Sequence, residues 1–389
     1  MNEKLKKYKY IKIFVNIIYV ISMIIFPFYL VVKVIDQLFE LDLEQFLLSF
    51  SVFLILYLIL CFIICFIAII WHEFGHLIFG LKAKLKFVSF NIWRYILYRE
   101  NNKLKIKKAN RIPNIGGYCY MTIDENEKYN KSLMKFYFLG GIIFNFILFI
   151  ISLILIIFTN NIYLKLIYIL NVAVNAYFAL YNLIPSIEKS GIITDGLQVM
   201  YFNNDEEYLN TMFKLQKLQL LIENGVELKD IDSSLFSKPQ KFKTKSDIQN
   251  AMIYIDYLTD KNQYNEASEY AKKVLVDANE LLLKTEVITL KLQLIISIFS
   301  SNDDVNKIKE IWDEDIKKYL DLMGNVSPIY IGINYLYATL VEKNEDNSKK
   351  YLNQFQQLKV KLYEKYELEE TEKLINEVDK KLKVKDSKK

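Results

Sequence analysis

The only two histidines of the 389-residue chain lie together in Trp71-His72-Glu73-Phe74-Gly75-His76. On a helix, residues i and i+4 stand about 40° apart around the axis, so both imidazoles can face one point. Two nitrogens at that spacing suit a zinc ion, bound at about 2.0–2.1 Å. A carboxylate beside them, here Glu73, suits a base that takes a proton from an attacking water and passes it to a leaving amine. A tetrahedral catalytic site needs a third protein ligand and one open position. With no third histidine, that ligand is a carboxylate or a cysteine. Between Leu133 and Gly196 the only acids are Glu188 and Asp195. Asp195 precedes Gly196, whose freedom lets the backbone turn and approach a metal, though an Asp there could equally cap the helix that follows. Asp195 is the expected ligand and Glu188 the alternative.

Asn171, Asn175 and Asn182 fall within about 40° of one another on a helix. In an apolar segment such a stripe faces protein, water or substrate. Asn171 and Asn175 are read as holding helices together. Asn182, in Asn182-Leu183-Ile184-Pro185, stands where it could offer its amide to a substrate backbone or an oxyanion. Cys61 and Cys65 point to the side of the histidines but lie roughly 10 Å or more up the helix from His72, too far to be ligands.

The elements that must position these groups are apolar. Runs cover Ile13–Val32, Phe46–Leu81, Leu133–Phe158 and Ile162–Ile184, each long enough to cross a bilayer. The second, roughly 36 residues, would extend about 54 Å and must tilt, project or bend. The first lacks a small-residue cleavage site and reads as a retained span. Ten basic residues, from Lys82 to Arg111, lie between spans two and three. That loop and the basic N-terminus are expected on the cytoplasmic side, the acidic 36–44 loop outside, and both termini inside. Leu85–Trp93, Tyr95–Arg99 and Lys103–Lys107 partly alternate and read as an antiparallel ribbon turning at 100–102. Pro113–Met121 reads as a glycine-bearing loop dipping into the membrane.

From about Asp205 the pattern becomes amphipathic and helical. Ala251–Thr259 with Tyr264–Val276, and Ile329–Val341 with Lys349–Leu358, read as helix pairs like degenerate tetratricopeptide units, without a strict period. The expected organisation is an N-terminal span and acidic loop (1–45), a membrane core (46–203) and an all-α soluble domain (204–389) ending in a lysine-rich tail. The fold class is a polytopic helical membrane protein with about four spans, a β-ribbon and a re-entrant loop.

Together the motifs resemble the site-2 protease family of intramembrane zinc metalloproteases, over roughly residues 50–200. His72-Glu73-Phe74-Gly75-His76 is similar to its zinc-binding helix, and Pro113 to Met121 to its re-entrant loop. Gly140-Gly141-Ile142-Ile143-Phe144-Asn145 is similar to its Gly-Pro-x-x-Asn stretch, with Ile142 where proline is usual. Asn182 to Pro185 followed by Asp195-Gly196 is similar to its closing motif. The resemblance implies one zinc ion on His72, His76 and Asp195, Glu73 as catalytic base, and substrate contacts at Asn182, Asn145, Gly116 and Gly117. It implies cleavage of membrane-spanning or membrane-associated peptides. Nine residues separate Pro185 from Asp195, where the family commonly has about four. The loop after the first motif is too short for a PDZ domain.

Composition narrows the alternatives. The chain is 52% hydrophobic and 24% charged, with net charge +5 and three cysteines. It has no basic-aromatic stripe for nucleic acid and no disulfide framework. A metal transporter or channel would need polar groups along several spans, and only the fourth has them. A catalytically inactive scaffold that binds peptides is the competing reading. The expected partners are a membrane peptide or protein substrate, the lipid bilayer, and a cytoplasmic partner docking on 204–389.

Overall fold

The computed structural model describes residues 2–38, 43–100, 103–108, 112–113, 115–123, 130–223, 225–301, 304–324, 326–359 and 365–386. Glu40 and Asp42 of the acidic loop, the Asn101-Asn102 turn, Arg111, Asn114 and the last three residues of the tail lie outside the described residues. The apolar runs form α1 (Asn2–Leu38), α2 (Leu43–Lys82), α3 (Lys131–Phe158) and α4 (Ile162–Leu183). Each contains a stretch long and apolar enough to cross a membrane: Lys7–Ile25, Phe50–Lys82, Lys131–Phe158 and Ile162–Leu183. Their outward faces are apolar; Phe62, Ile157 and Phe158 are exposed. An apolar surface on this scale fits a helical membrane protein and not a water-soluble one.

The long second run is one continuous helix of 40 residues. Two asparagines start the next helices. Asn130 Oδ1 accepts from the N–H groups of Ser132 (3.0 Å) and Leu133 (3.3 Å). Asn161 Oδ1 accepts from Tyr163 (2.9 Å) and Leu164 (3.1 Å). Each side chain satisfies donors that the first helical turn leaves open. Where α2 meets α3, glycines face each other. A Cβ on Gly140 would stand 2.5 Å from the Gly75 carbonyl oxygen and 2.8 Å from the His76 nitrogen. The backbones touch there, which brings the histidine turn against α3.

The ribbon is present as β1 (Lys86–Ile92), β2 (Tyr95–Glu100) and β3 (Lys103–Lys108). The stretch read as dipping into the membrane contains a strand: Gly117–Thr122 is β4, paired antiparallel to β1 with Ile92 opposite Gly117 and Phe90 opposite Cys119. Alternating Tyr118, Tyr120 and Thr122 favour an extended, laterally paired backbone over an unpaired loop. The sheet order is β3-β2-β1-β4, so β3 and β4 are its edges.

Beyond the last span come α5 (Asp195–Asn204), α6 (Tyr208–Glu223), α7 (Lys245–Asp260), α8 (Tyr264–Asp277), α9 (Lys284–Ser300), α10 (Asn306–Ile311), α11 (Glu314–Met323), α12 (Pro328–Tyr337), α13 (Glu345–Lys359) and α14 (Lys365–Asp386). The helix pairs read from the sequence are α7–α8 and α12–α13. Helices α7 to α14 share one apolar core, including Ile255, Phe299, Leu336 and Phe355. Helices α5 and α6 do otherwise. Leu197, Tyr208, Leu209 and Phe213 pack with Met121, Met134 and Phe138 in a second cluster that closes one end of the membrane helices. That cluster spans the 203/204 boundary.

Gly140→Ala should force α2 and α3 apart and destabilise the protein by about 1–3 kcal/mol, the usual cost of overpacking a filled interface. Unfolding of the purified variant in detergent, beside wild type, measures it; an unchanged midpoint would mean that the backbones do not touch.

Candidate metal centre

His72, Glu73 and His76 occupy one turn of α2 and are all buried. His72 Nδ1 lies 2.7 Å from Asn145 Oδ1, and His76 Nδ1 lies 2.8 Å from the Tyr137 carbonyl. Asn145 is held in that orientation because its Nδ2 donates to Asn175 Oδ1 (2.9 Å) and the Ala68 carbonyl (3.3 Å). Asn175 Nδ2 in turn donates to the Asn171 carbonyl at 3.0 Å. A carbonyl oxygen only accepts, so each Nδ1 carries a proton. Both Nε2 atoms are then turned to one space, 3.3 Å apart.

The third donor arrives from the other side of the sequence. Pro185 follows the end of α4, and 186–194 fold into a small hairpin. Thr194 N–H donates to the Ser186 carbonyl, Glu188 N–H to Ile192 and Gly191 N–H to Glu188, at 3.0, 2.8 and 2.9 Å. Gly191 sits in the turn at φ +92°, a conformation that suits glycine. Thr194 Oγ1 donates to the Ile184 carbonyl at 2.9 Å and accepts from Ser186 N–H at 3.0 Å. The chain therefore leaves and returns at nearly one point. This is how nine residues deliver Asp195 to the place a short connection would reach. Asp195 is not the cap of α5 but its first residue, after Thr194. Gly196 serves close approach rather than a turn: a side chain there would strike the Leu183 carbonyl.

Asp195 Oδ2 stands 3.1 Å from His72 Nε2 and 3.5 Å from His76 Nε2. That oxygen is itself buried and turned to the two imidazoles. Burial would push this carboxyl up, but the adjoining imidazoles outweigh burial and hold it well below the usual carboxylate range. Two imidazole nitrogens and a carboxylate oxygen thus converge on one place, where a cation, a proton or a metal ion, satisfies all three. Ligands about 2.0–2.1 Å from a tetrahedral metal stand roughly 3.3–3.4 Å from one another, so the spacing fits. Among the described residues, His72, His76 and Asp195 are the group able to hold a metal ion.

A cavity of about 210 Å³ opens on this centre. Glu73, Gly116, Gly117, Asn182 and Glu188 line it, with Cys119 and Tyr137. Asn182 spends one N–H on the Phe178 carbonyl at 3.0 Å. Glu188, the alternative ligand, is engaged on the far wall: its Oε1 accepts from Lys12 Nζ (2.6 Å) and Tyr181 hydroxyl (2.9 Å). Asn145 is fully buried behind His72, outside the cavity lining. Cys61 and Cys65 pack farther up α2 with Ala68, Leu170 and Val174. Reading the sequence missed Tyr137, which acts through a main-chain carbonyl that every residue possesses. It also missed Lys12 and Tyr181, whose partner only folding supplies.

In comparisons with known proteins, the model of peptidase family M50 matches residues 59–361, more than half of the chain. The match runs through most of the helical domain, well past the 50–200 stretch that carries the motifs. No curated protein and no solved structure matches.

Metal content measured on purified variants checks the donor set. His72→Ala, His76→Ala and Asp195→Ala should lose the ion, whereas Glu188→Ala should keep it. Asn145→Ala should bind about 10–100-fold more weakly, because the His72 ring loses its orienting partner. Retention by Asp195→Ala together with loss by Glu188→Ala would reassign the third ligand.

Proposed function

The chain belongs to peptidase family M50, and on that premise we propose that it is a zinc-dependent intramembrane endopeptidase. Its substrates are membrane-spanning or membrane-associated peptides, with small signalling, signal-peptide-like or bacteriocin-type precursors the preferred class. One observation carries the reading: two imidazoles and a carboxylate meet beside a buried glutamate at a cavity bordered by membrane helices. His72, His76 and Asp195 would hold the zinc ion, which supplies Lewis acidity to the scissile carbonyl and to water.

Glu73 does the proton work. Its buried side chain lines the cavity, so it accepts a proton from the attacking water and returns it to the leaving amine. Asn182 has a second amide N–H left for the oxyanion. A peptide bond inside a helix is shielded, so the substrate must first be extended. Edge strand β4 runs beside Glu73, where a Cβ on Gly117 would stand 3.0 Å from Glu73 Cγ. An extended substrate added to that edge brings its carbonyls to the metal centre, and glycines at 116 and 117 let the edge lie close against Ile69 and Glu73.

On the basic-loop reading, both termini and the helical domain lie in the cytoplasm. We assign the helical domain to holding the substrate's cytoplasmic tail. A contact supports this: the hairpin that delivers Asp195 abuts α9, where a Cβ on Gly191 would stand 3.3 Å from Thr285.

Glu73→Gln should lower cleavage of a membrane peptide by about 10²–10⁴-fold with metal content unchanged; a wild-type rate would sink the mechanism. A chain ending after Lys217 keeps Tyr208, Leu209 and Phe213 in their cluster. It should retain metal and cleave a generic unstructured peptide, while KM for the natural substrate rises and kcat holds. Unaltered kinetics on the natural substrate would remove the recruitment role.

A further inference from the structure

The far edge of the sheet, away from the cavity, has two chemically different faces. In the β2–β3 pair Tyr95 stands opposite Lys108, Leu97 opposite Ile106 and Arg99 opposite Leu104. Residues directly opposite share a face, so Tyr95, Leu97, Leu104 and Ile106 form an apolar patch on one side, with Lys108 and Arg99 at its two ends. Lys103, Lys105 and Lys107 lie on the other, by the alternation of the strand. The apolar side is uncovered: Tyr95 is 59%, Leu104 58% and Ile106 72% exposed. The same side of the sheet continues through Phe90 and Ile92 to Gly117 and Cys119 at the cavity.

Two observations say what covers the uncovered part. Trp93, in the turn joining β1 to β2, stacks edge-on against Phe62 at 5.9 Å. Phe62 is an exposed residue within the membrane-crossing stretch of α2. The apolar face is therefore continuous with the lipid-facing surface. The ribbon's charge is also one-sided. From residue 86 to 108 the chain carries Lys86, Arg94, Arg99, Lys103, Lys105, Lys107 and Lys108 against a single acid, Glu100. Sinking Leu104 and Ile106 among acyl chains lifts the alternating lysines to the depth of the phosphates.

We propose that the β2–β3 ribbon is a binding surface for anionic phospholipid, its apolar face in the acyl boundary and its lysines on the headgroups. The ribbon thereby fixes the height of the whole sheet, including β4 at the other edge, relative to the bilayer. The inference rests on the membrane reading of the chain and not on peptidase activity, so its test uses no cleavage.

The full-length protein is placed in phosphatidylcholine nanodiscs containing a trace of photoactivatable phosphatidylglycerol or photoactivatable phosphatidylcholine. Crosslinks to the 95–108 peptide are then counted by mass spectrometry. Wild type should favour the glycerol lipid by about tenfold at low salt and less at high salt, as surface charge attraction is screened. The K103Q/K105Q/K107Q variant should label equally with both lipids, while the corresponding three-arginine variant keeps the preference. The L104S/I106S variant should lose labelling by either lipid. Equal labelling of wild type by the two lipids, a preference that survives the glutamine variant, or a ribbon that neither lipid reaches would overturn the proposal.

Discussion

Two imidazole nitrogens and a carboxylate oxygen converge within 3.1 to 3.5 Å of one another. Both histidines are buried and the Asp195 side chain is only 13% exposed, so water screens their interaction weakly. A cation among them, a proton or a metal ion, satisfies all three, and the groups nearby hold them in place for it. Asn145 and the Tyr137 carbonyl fix which ring nitrogen carries the proton. Asn175 fixes Asn145, and the Asn171 carbonyl fixes Asn175. The polar stripe of α4 is thus a chain of orientation that ends on His72. This unites the bland reading of Asn171 and Asn175, as ties between helices, with a role in the centre.

Delivery of the third donor explains a departure that the family motif alone leaves open. A longer connection between Pro185 and Asp195 ought to loosen the site. It does not, because the extra residues close on themselves through main-chain hydrogen bonds and the Thr194 hydroxyl. The hairpin that results has contacts of its own. Glu188 on it takes Lys12 of α1 and Tyr181 of α4, and Gly191 at its turn meets Thr285 of the helical domain. The first span and the helices beyond the fourth span therefore both bear on the segment that delivers Asp195.

The sheet separates two tasks by distance. Its β4 edge stands beside Glu73 and borders the cavity, while its β3 edge, three strands away, is cationic and partly apolar. Glycines 116 and 117 let the first edge pack closely on Ile69, Asn91 and Glu73. Alternating lysine and aliphatic residues suit the second to a lipid boundary.

The sequence by itself determined the spans, the ribbon, the helix pairs and the three residues of α2. These follow from local rules: apolar runs as long as a bilayer is thick, alternation, and the i, i+4 spacing of a helix. It narrowed the third ligand to two acids through sheer scarcity. Tertiary structure gave them different surroundings, Asp195 against the two imidazoles and Glu188 bound to Lys12 and Tyr181. It also made Gly117–Thr122 an edge strand, since strand pairing depends on a partner far along the chain. Asn145 and Tyr137 became supports of the histidines for the same reason. Which ring nitrogen is bare depends on contacts between helices some sixty to seventy residues apart, and no local spacing encodes them.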